Sequence, residues 1–232
     1  MSSPRKKQSW IKERQVKKYE EISSKYFIFC EGEQTEPLYF SGFKDQIEQN
    51  AIYKNSVLVK VEGVGKETIR VLEAAQDYVS KFNINNANIW CVYDKDSFPS
   101  EDFNKVSQLV KQLNNKQTSV KYFVAWSNQC IEYWFILHFD YYDSDNDRKY
   151  YRQFLHKKFK ELGWDYYEKN NQDLFNILVS KGNPKLAIKY AKKRIKECDG
   201  LSDAESVPAT NVHELVMELA KFLPEEMKCK IL

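Results

Sequence analysis

The sequence has few of the residues that mark disulfide-rich, zinc-binding or collagen-like proteins. Its 232 residues include only seven glycines, three histidines and five cysteines, and the cysteines stand singly, without a Cys-x-x-Cys pair. Neither a zinc site nor a Ser-His-Asp triad is indicated, because the histidines are scattered along the chain. The apolar runs are too short to cross a bilayer, and the first residues are basic and polar, unlike a signal peptide. These absences predict a reduced, soluble protein of the cytoplasm with no membrane partner.

Charge is plentiful but unevenly distributed. The formal net charge is only +3, yet residues 1–25 carry eight Lys or Arg against three Glu, and residues 181–198 carry seven against one. The remainder of the chain is therefore acidic. Basic segments beside an acidic body favour a protein that contacts phosphates and gathers carboxylates elsewhere. A solvated tail and an ordinary lysine-rich helix face would produce the same pattern, so charge alone leaves both interpretations open.

Strand and helix patterns alternate through the first half of the chain. Short apolar runs predict strands over residues 26–30, 56–61, 88–93 and 120–125. Helical spacing of apolar residues predicts a helix after each of the first three strands, and Thr35 is the expected N-cap of the first helix. Such alternation predicts an α/β fold with a mainly parallel sheet and flanking helices.

After residue 128 the patterns predict helices alone. The first of these helices is expected over 129–139, and four more are expected over 149–162, 172–179, 184–197 and 211–223. We therefore predict three parts of the chain: a basic N-terminal arm (1–24), an α/β domain (25–140) and a helical C-terminal region (141–232).

Acidic residues follow two of the predicted strands. Glu31, Glu33 and Glu36 come after the first strand, and Asp94 and Asp96 come after the third. Ligands of open parallel sheets bind at the carboxyl ends of the strands, so these carboxylates are expected to meet. Clustered carboxylates repel one another unless a cation neutralises them, and hard oxygen ligands select Mg²⁺ or Mn²⁺. A metal of this kind fits phosphoryl transfer or phosphodiester hydrolysis.

A Glu directly after the first strand and an Asp-x-Asp after the third resemble a Toprim domain. Four longer segments resemble the signature blocks of the RloB family: CEGEQTEPLYF (30–40), YDKDSF (93–98), SNQCIEYWFILHF (127–139) and PATNVHELV (208–216). Proteins of that family are Toprim-like and occur in bacterial restriction and abortive-infection loci, often beside an ATPase. The resemblance implies a Mg²⁺- or Mn²⁺-dependent nuclease of anti-phage defence with an ATPase partner. One departure is Gln129, where the family pattern has Pro.

The Toprim resemblance also implies roles for individual residues. Glu31 matches the Glu that serves as metal ligand or general acid/base, and Asp94 and Asp96 match the metal ligands. Glu36 resembles the extra acidic residue of the OLD-type Toprim nucleases, which supports a second metal. Glu132 is expected as a further site residue, although a Glu in a first helical turn also interacts favourably with the helix dipole.

Phosphate contacts are expected from lysines. Lys95 stands between Asp94 and Asp96 in the sequence, and four further lysines recur on one face of the helix predicted over 184–197: Lys185, Lys189, Lys192 and Lys196. Such a row predicts contacts to a nucleic-acid backbone, whereas its alternative is a solvated helix face. The resemblance also leaves His213, in the last block, as a candidate site residue.

The leading hypothesis is therefore a metal-dependent nuclease. A non-catalytic regulatory subunit that binds nucleic acid or an ATPase through the same surface is the alternative. The choice between DNA and RNA, between one metal and two, and the oligomeric state are open at this point.

Overall fold

The computed structural model describes residues 22–116, 118–164 and 166–232. The predicted basic arm over 1–24 therefore lies outside the described residues, apart from its last three positions. The described chain confirms the predicted α/β class, with a five-stranded, mostly parallel sheet flanked by helices.

The five strands are β1 (Ser24–Cys30), β2 (Val57–Gly63), β3 (Ala87–Asp94), β4 (Val120–Asn128) and β5 (Ala209–Thr210). Their order in the sheet is β2-β1-β3-β4-β5. The first four strands are parallel to their neighbours, and β5 pairs antiparallel with β4.

The helices of the described ranges alternate with the first strands and then follow one another. They are α1 (Thr35–Gln49), α2 (Thr68–Phe82), α3 (Ser100–Asn115), α4 (Glu132–Ile136), α5 (Arg148–Glu161), α6 (Leu174–Lys181), α7 (Pro184–Glu197), α8 (Val212–Ala220) and α9 (Glu225–Ile231). Within the described ranges, each helix is too short or too polar to span a membrane.

The sheet is buried on both faces. Tyr26, Ile28 and Cys30 of β1 belong to one apolar cluster, and Phe27 and Phe29, which point the other way, belong to a second cluster. Helices α2 and α3 cover the second cluster, whereas α1 and α4 to α9 contribute to the first. Burial on both faces explains why the sequence of β1 is a continuous apolar run without polar alternation.

The C-terminal helices share the core of the sheet. Leu155 of α5, Leu178 of α6 and Leu215 of α8 lie in the same buried cluster as Ile28 of β1 and Phe40 of α1. The division between residues 140 and 141 stays a prediction, but the helices beyond it bury their apolar faces in the cluster that covers the sheet.

Three local predictions are wrong. Thr35 does not cap α1, because the helix begins at Thr35 itself and its N-cap position makes no side-chain hydrogen bond. The helix predicted over 129–139 is shorter, because β4 continues to Asn128 and α4 begins at Glu132. The prediction of helices alone after residue 128 misses β5, whose Ala209 and Thr210 pair with the end of β4.

Two asparagine side chains form hydrogen bonds with backbone groups of β4 along the part of the edge that β5 does not pair with. Asn114 exchanges two hydrogen bonds with the Tyr122 backbone, at 2.7 and 2.8 Å. Asn211 accepts from the Trp126 N–H at 2.6 Å and donates to the Val124 carbonyl at 3.1 Å. The second pair anchors the start of α8, which follows Asn211 directly, against the sheet.

Candidate metal centre

The candidate site lies where the strand order of the sheet reverses. The chain passes from β1 through α1 to β2 on one side of β1, and then returns through α2 to β3 on the other side. In open α/β sheets, ligands bind at the carboxyl ends of the strands at such a reversal. Glu31 directly follows β1 and Asp94 ends β3, so both acidic residues lie at this point.

Hydrogen bonds connect the two residues. The Glu31 N–H donates to the Val92 carbonyl at 2.9 Å, which extends the contact between β1 and β3 by one residue. The Asp94 N–H donates to Glu31 Oε2 at 3.3 Å, and the Thr68 hydroxyl donates to the same oxygen at 3.4 Å. The position of the Glu31 carboxylate therefore depends on β3 and on the start of α2 as well as on its own strand.

A cleft of about 490 Å³ opens at these strand ends. The loops after β1, β2, β3 and β4 line it together with the start of α5. Its acidic lining residues are Glu31, Glu33, Glu36, Glu67, Asp94 and Asp96. Its basic lining residues are Lys66, Arg148, Arg152 and Lys169. Carboxylates and cations thus share one cleft, in which the acidic groups outnumber the basic ones.

Asp94 carries an unsatisfied oxygen. Its Oδ1 is buried and has no hydrogen-bond partner in the described part of the chain. Burial raises the pKa of Asp94 well above its ordinary value, and the neighbouring carboxylates of Glu36, Glu132 and Glu31 raise it further. Buried acceptors are nearly always satisfied, so this free oxygen is available to a water molecule or a bound ion.

Glu31 and Glu36 are perturbed in the same direction. Burial, with smaller contributions from Glu36 and Asp96, raises the pKa of Glu31 from 4.5 to about 7, although two hydrogen bonds oppose the rise. Burial also raises the pKa of Glu36, and the charge of Glu132 adds to this effect. A Cβ atom at position 32 would lie 2.5 Å from Glu36 Oε2. Gly32 therefore allows the Glu36 carboxylate to lie close to the backbone.

Two arginines of α5 neutralise part of the acidic charge. Arg148 forms an ion pair with Asp96, whose φ of 39° lies in the left-handed region that Asp tolerates. Arg152 Nε lies 3.1 Å from Glu132 Oε1. Across residues 22–116, 118–164 and 166–232, no group of three or more His, Cys, Asp or Glu side chains is arranged to hold a metal ion. A metal held by three or more of these side chains would therefore require them to move, whereas Mg²⁺ commonly takes one or two carboxylates with water and substrate.

The donor chemistry nevertheless fits a hard divalent cation. Glu31, Glu36 and Asp94 offer carboxylate oxygens, which Mg²⁺ and Mn²⁺ prefer. Burial, with further contributions from neighbouring carboxylates, raises the pKa of all three groups, so an excess of negative charge is unfavourable here. A cation would relieve this excess, so we take these three residues as the candidate ligands.

Several predicted site residues lie outside the cleft. Glu132 is only 1% exposed at its side chain and contacts the cleft through its ion pair with Arg152. The Lys95 ammonium donates to the Phe98 carbonyl, and Lys95 does not line the cleft. The predicted phosphate-binding lysines of α7 are exposed but line other surfaces of the protein: Lys185, Lys189, Lys192 and Lys196.

The cations of the cleft are not evident from the local sequence. Lys66 lies in a glycine-containing loop between β2 and α2, whose sequence does not have the spacing of a phosphate-binding P-loop. Arg148 and Arg152 are spaced by four residues at the start of α5, and this spacing places them on one helix face. The spacing indicates that the two arginines share a helix face. It does not indicate that this face packs against the strand ends.

We expect the stability of the metal-free protein to show a pH dependence that originates at Glu31. The folded state holds a proton that the unfolded chain releases between pH 4.5 and about 7. The contribution of Glu31 to the free energy of unfolding is therefore full at low pH and falls as the pH rises through this range. Glu31→Gln, which mimics the protonated form, should match wild type at about pH 5 and exceed its stability at about pH 7.5.

Urea unfolding in EDTA at both pH values measures this difference. Wild type must be compared with the variant because two histidines also make the stability depend on pH. Burial lowers the pKa values of His138 and His213 to about 4, so their contribution to the free energy of unfolding rises with pH, opposite to that of Glu31. A variant that is less stable than wild type at about pH 7.5 would contradict this expectation. The hydrogen bonds of the Glu31 carboxylate would then stabilise the fold by more than its buried charge destabilises it.

Comparison with known proteins gives one assignment. Residues 26–219 match the family described as RloB-like protein. No curated protein and no solved structure matches the chain. The matched range includes every residue that lines the cleft, from Glu31 to Lys169. Since the match covers most of the sequence, the chain belongs to the RloB-like protein family.

Proposed function

We propose that this protein is a Mg²⁺- or Mn²⁺-dependent nuclease with a Toprim-like site, which hydrolyses phosphodiester bonds in the cytoplasm during anti-phage defence. The observation that carries the proposal is the cluster of carboxylates with raised pKa values at the point where the strand order reverses. One buried oxygen of Asp94 in this cluster has no hydrogen-bond partner among the described residues. The cations of the same cleft provide a complementary surface for phosphate. An ATPase partner and the defence role rest on the family resemblance.

The proposed ligands are Glu36 and Asp94, with Asp96 joining them when its ion pair with Arg148 opens. Glu31 is either a further ligand or the general acid or base. A bound divalent cation supplies charge that stabilises the reacting phosphate and increases the acidity of water. Glu132 would hold Arg152 in the lining of the cleft through their ion pair, and its own negative charge would act on Asp94 and Glu36.

Glu31 is the proposed general acid or base. Its carboxylate lines the cleft, and in the metal-free cleft burial raises its pKa to about 7. In this role Glu31 would not itself bind the metal, which Glu36 and Asp94 would hold. The hydrogen bonds from the Asp94 N–H and the Thr68 hydroxyl orient Oε2, which leaves the other oxygen free to accept a proton from attacking water.

The basic residues of the cleft would bind the substrate backbone. The Arg148 guanidinium forms an ion pair with the Asp96 carboxylate in this structure. A substrate phosphate is also anionic, so it can compete with Asp96 for the guanidinium. Lys66 and Lys169 add ammonium groups along the same cleft. We place the lysines of α7 and Lys95 in a secondary role, since they do not line the cleft.

One observation favours a second function. The ion pairs of Asp96 and Glu132 with α5 neutralise two of the predicted site carboxylates, and the described residues contain no ready-made metal site. A non-catalytic subunit that binds nucleic acid or an ATPase through this charged cleft would have these properties.

A cleavage assay separates the two functions. The full chain is incubated with duplex DNA, single-stranded DNA and tRNA in Mn²⁺, Mg²⁺ or EDTA, alone and with the product of the neighbouring gene. We expect cleavage of at least one substrate only with metal, and we expect Glu31→Gln to reduce its rate by about 100-fold or more. Glu226→Gln, at an exposed ion pair on α9, is the matched control and should leave the rate unchanged.

Binding without cleavage under every one of these conditions would support the regulatory subunit and contradict the nuclease. The substrate that is cut also decides between DNA and RNA.

A further inference from the structure

A second cavity lies on the same sheet, away from the candidate metal centre. Its volume is about 430 Å³, which is within the range of ~300–1,000 Å³ typical of small-ligand pockets. Strands β1, β3 and β4 form its floor, and α8 with part of α7 forms its wall. Tyr26, which lines it, precedes Glu31 by five residues along β1, so about 16 Å of strand separate the two sites.

The floor of the cavity presents aromatic rings. Trp90 of β3 and Phe123 of β4 are register partners in the sheet. Their rings stack with centroids 4.8 Å apart and an angle of 19° between the planes. Phe123 is half-buried and lines the cavity, so a flat apolar surface is available to a planar ligand.

Two buried polar atoms of the cavity residues have no partner. Trp90 Nε1 and His213 Nδ1 make no hydrogen bond in the described part of the chain, although the two residues are only 2% and 5% exposed. An unsatisfied buried donor or acceptor is costly, so such atoms indicate a ligand that completes them. Asn88, half-buried on the same floor, adds a carboxamide with both a donor and an acceptor.

Charged residues lie at the mouth. Lys192 of α7 and Glu214 of α8 are exposed and line the cavity. Glu218 lines it too, pairs with Lys221 and accepts from the Tyr26 hydroxyl at 3.4 Å. Burial and the charge of Lys192 lower the pKa of His213 to about 4, so its imidazole is neutral at physiological pH. The interior therefore offers neutral hydrogen-bonding groups, and the lining carries one cation, Lys192, for a phosphate, beside the carboxylates of Glu214 and Glu218.

We propose that this cavity binds a purine base, carried either by a free nucleotide or by single-stranded nucleic acid. The ring system would stack against Phe123, its edge would accept from the Trp90 N–H, and Asn88 and His213 would pair with its remaining donors and acceptors. A purine carries these groups around one flat ring system, and Lys192 would contact its phosphate. The site does not depend on the metal-dependent cleavage proposed above.

Isothermal titration calorimetry of the full chain in EDTA tests this site without a contribution from metal. The probes are AMP, GMP, CMP, ribose 5-phosphate, oligo-dA and oligo-dT. We expect a purine nucleotide or oligo-dA to bind at least about tenfold more tightly than its pyrimidine counterpart, and ribose 5-phosphate not to bind. Binding of AMP or GMP assigns the site to free nucleotides, whereas binding of oligo-dA alone assigns it to single strands.

Conservative variants localise the binding. Trp90→Phe removes the indole N–H donor, together with part of the ring volume, and should weaken binding about tenfold. Asn88→Ala changes a half-buried side chain, provides a second variant if Trp90→Phe does not fold, and should have a similar effect. Lys192→Gln should weaken the binding of AMP more than that of adenosine, which is added as a probe. Lys193→Gln, exposed on the same helix but outside the cavity, is the matched control.

Two results would overturn the proposal. One is the absence of purine binding at millimolar concentration in wild type. The other is binding that neither Trp90→Phe nor Asn88→Ala weakens, because the ligand would then lie elsewhere. Loss of nuclease activity with intact purine binding would leave this inference standing, so the two proposals fail separately.

Discussion

Asp94→Asn is expected to raise the melting temperature of the metal-free protein and to abolish its stabilisation by Mn²⁺. In the folded chain, burial and three neighbouring carboxylates disfavour the charge of Asp94. Asn keeps the shape of the side chain and removes the charge, so the repulsion falls. The same change replaces a carboxylate ligand by an amide, which is a much poorer ligand for Mn²⁺.

The size of the effect follows from mass action. At a Mn²⁺ concentration about 100 times the dissociation constant, binding to the folded state contributes about 2.7 kcal/mol. For a chain of this size, that gain corresponds to a rise of about 5–10 °C in melting temperature. Wild type should show this rise, and Asp94→Asn should show almost none.

Thermal melts of both proteins in EDTA and in Mn²⁺ provide the measurement. Asp173→Asn, an exposed change before α6, is the control and should behave like wild type. If Asp94 has a structural role instead, the variant should melt earlier in EDTA, because a lost hydrogen bond costs about 1 kcal/mol. That result, combined with a wild type that does not respond to Mn²⁺, would contradict the metal site.

Arg152→Met is expected to lower the free energy of unfolding by about 2–3 kcal/mol. The Glu132 carboxylate is 1% exposed and its ion pair with Arg152 spans 3.1 Å. Removing one partner of a fully buried ion pair costs about 3–5 kcal/mol, because the remaining charge has no compensation. Arg152 is 38% exposed, so water can reach the vacated position and reduce the cost.

Urea unfolding measures this loss, and a second substitution assigns its cause. Glu132→Gln in the Arg152→Met background should recover most of the stability, because it removes the unpaired charge. Arg70→Met, in an exposed ion pair with Glu73, is the matched control and should cost less than about 1 kcal/mol. Equal losses in the Arg152 single and double variants would show that packing, not charge, explains the effect.

Mn²⁺ adds a second outcome for Arg152→Met. Without the arginine, Glu132 contributes its full charge to the electrostatic field at Asp94 and Glu36. The variant should therefore gain more stability from Mn²⁺ than wild type does. A smaller gain would indicate that Arg152 supports the carboxylates through packing.

The sequence predicts the sheet better than it predicts the cleft. The buried runs of β1 and β3 are local patterns, and parallel strands necessarily bring their carboxyl ends to one edge. The proximity of Glu31 and Asp94 follows from that geometry. By contrast, β5 has only two residues, too few for a periodic pattern, and forms because the end of β4 needs a partner.

The cations could not be predicted for a different reason. Arg148 and Arg152 reach the cleft through the packing of α5, and nothing within their own segment specifies the strand ends as their neighbours. Lys95 was predicted at the site because it lies between two acidic residues, but its ammonium turns back to the Phe98 carbonyl. Local spacing therefore indicates the carboxylates, whereas tertiary contacts determine the counter-charges.

Electron paramagnetic resonance of Mn²⁺ tests the central claim most directly. The signal of free Mn²⁺ falls when the ion binds, so a titration counts bound ions per chain and yields their affinity without any substrate. We predict that wild type binds at least one Mn²⁺ per chain, that Mg²⁺ displaces it, and that Asp94→Asn weakens binding at least about tenfold, or 1.4 kcal/mol. Equal binding by wild type and Asp94→Asn, or no binding by either, would contradict a metal centre at the ends of β1 and β3.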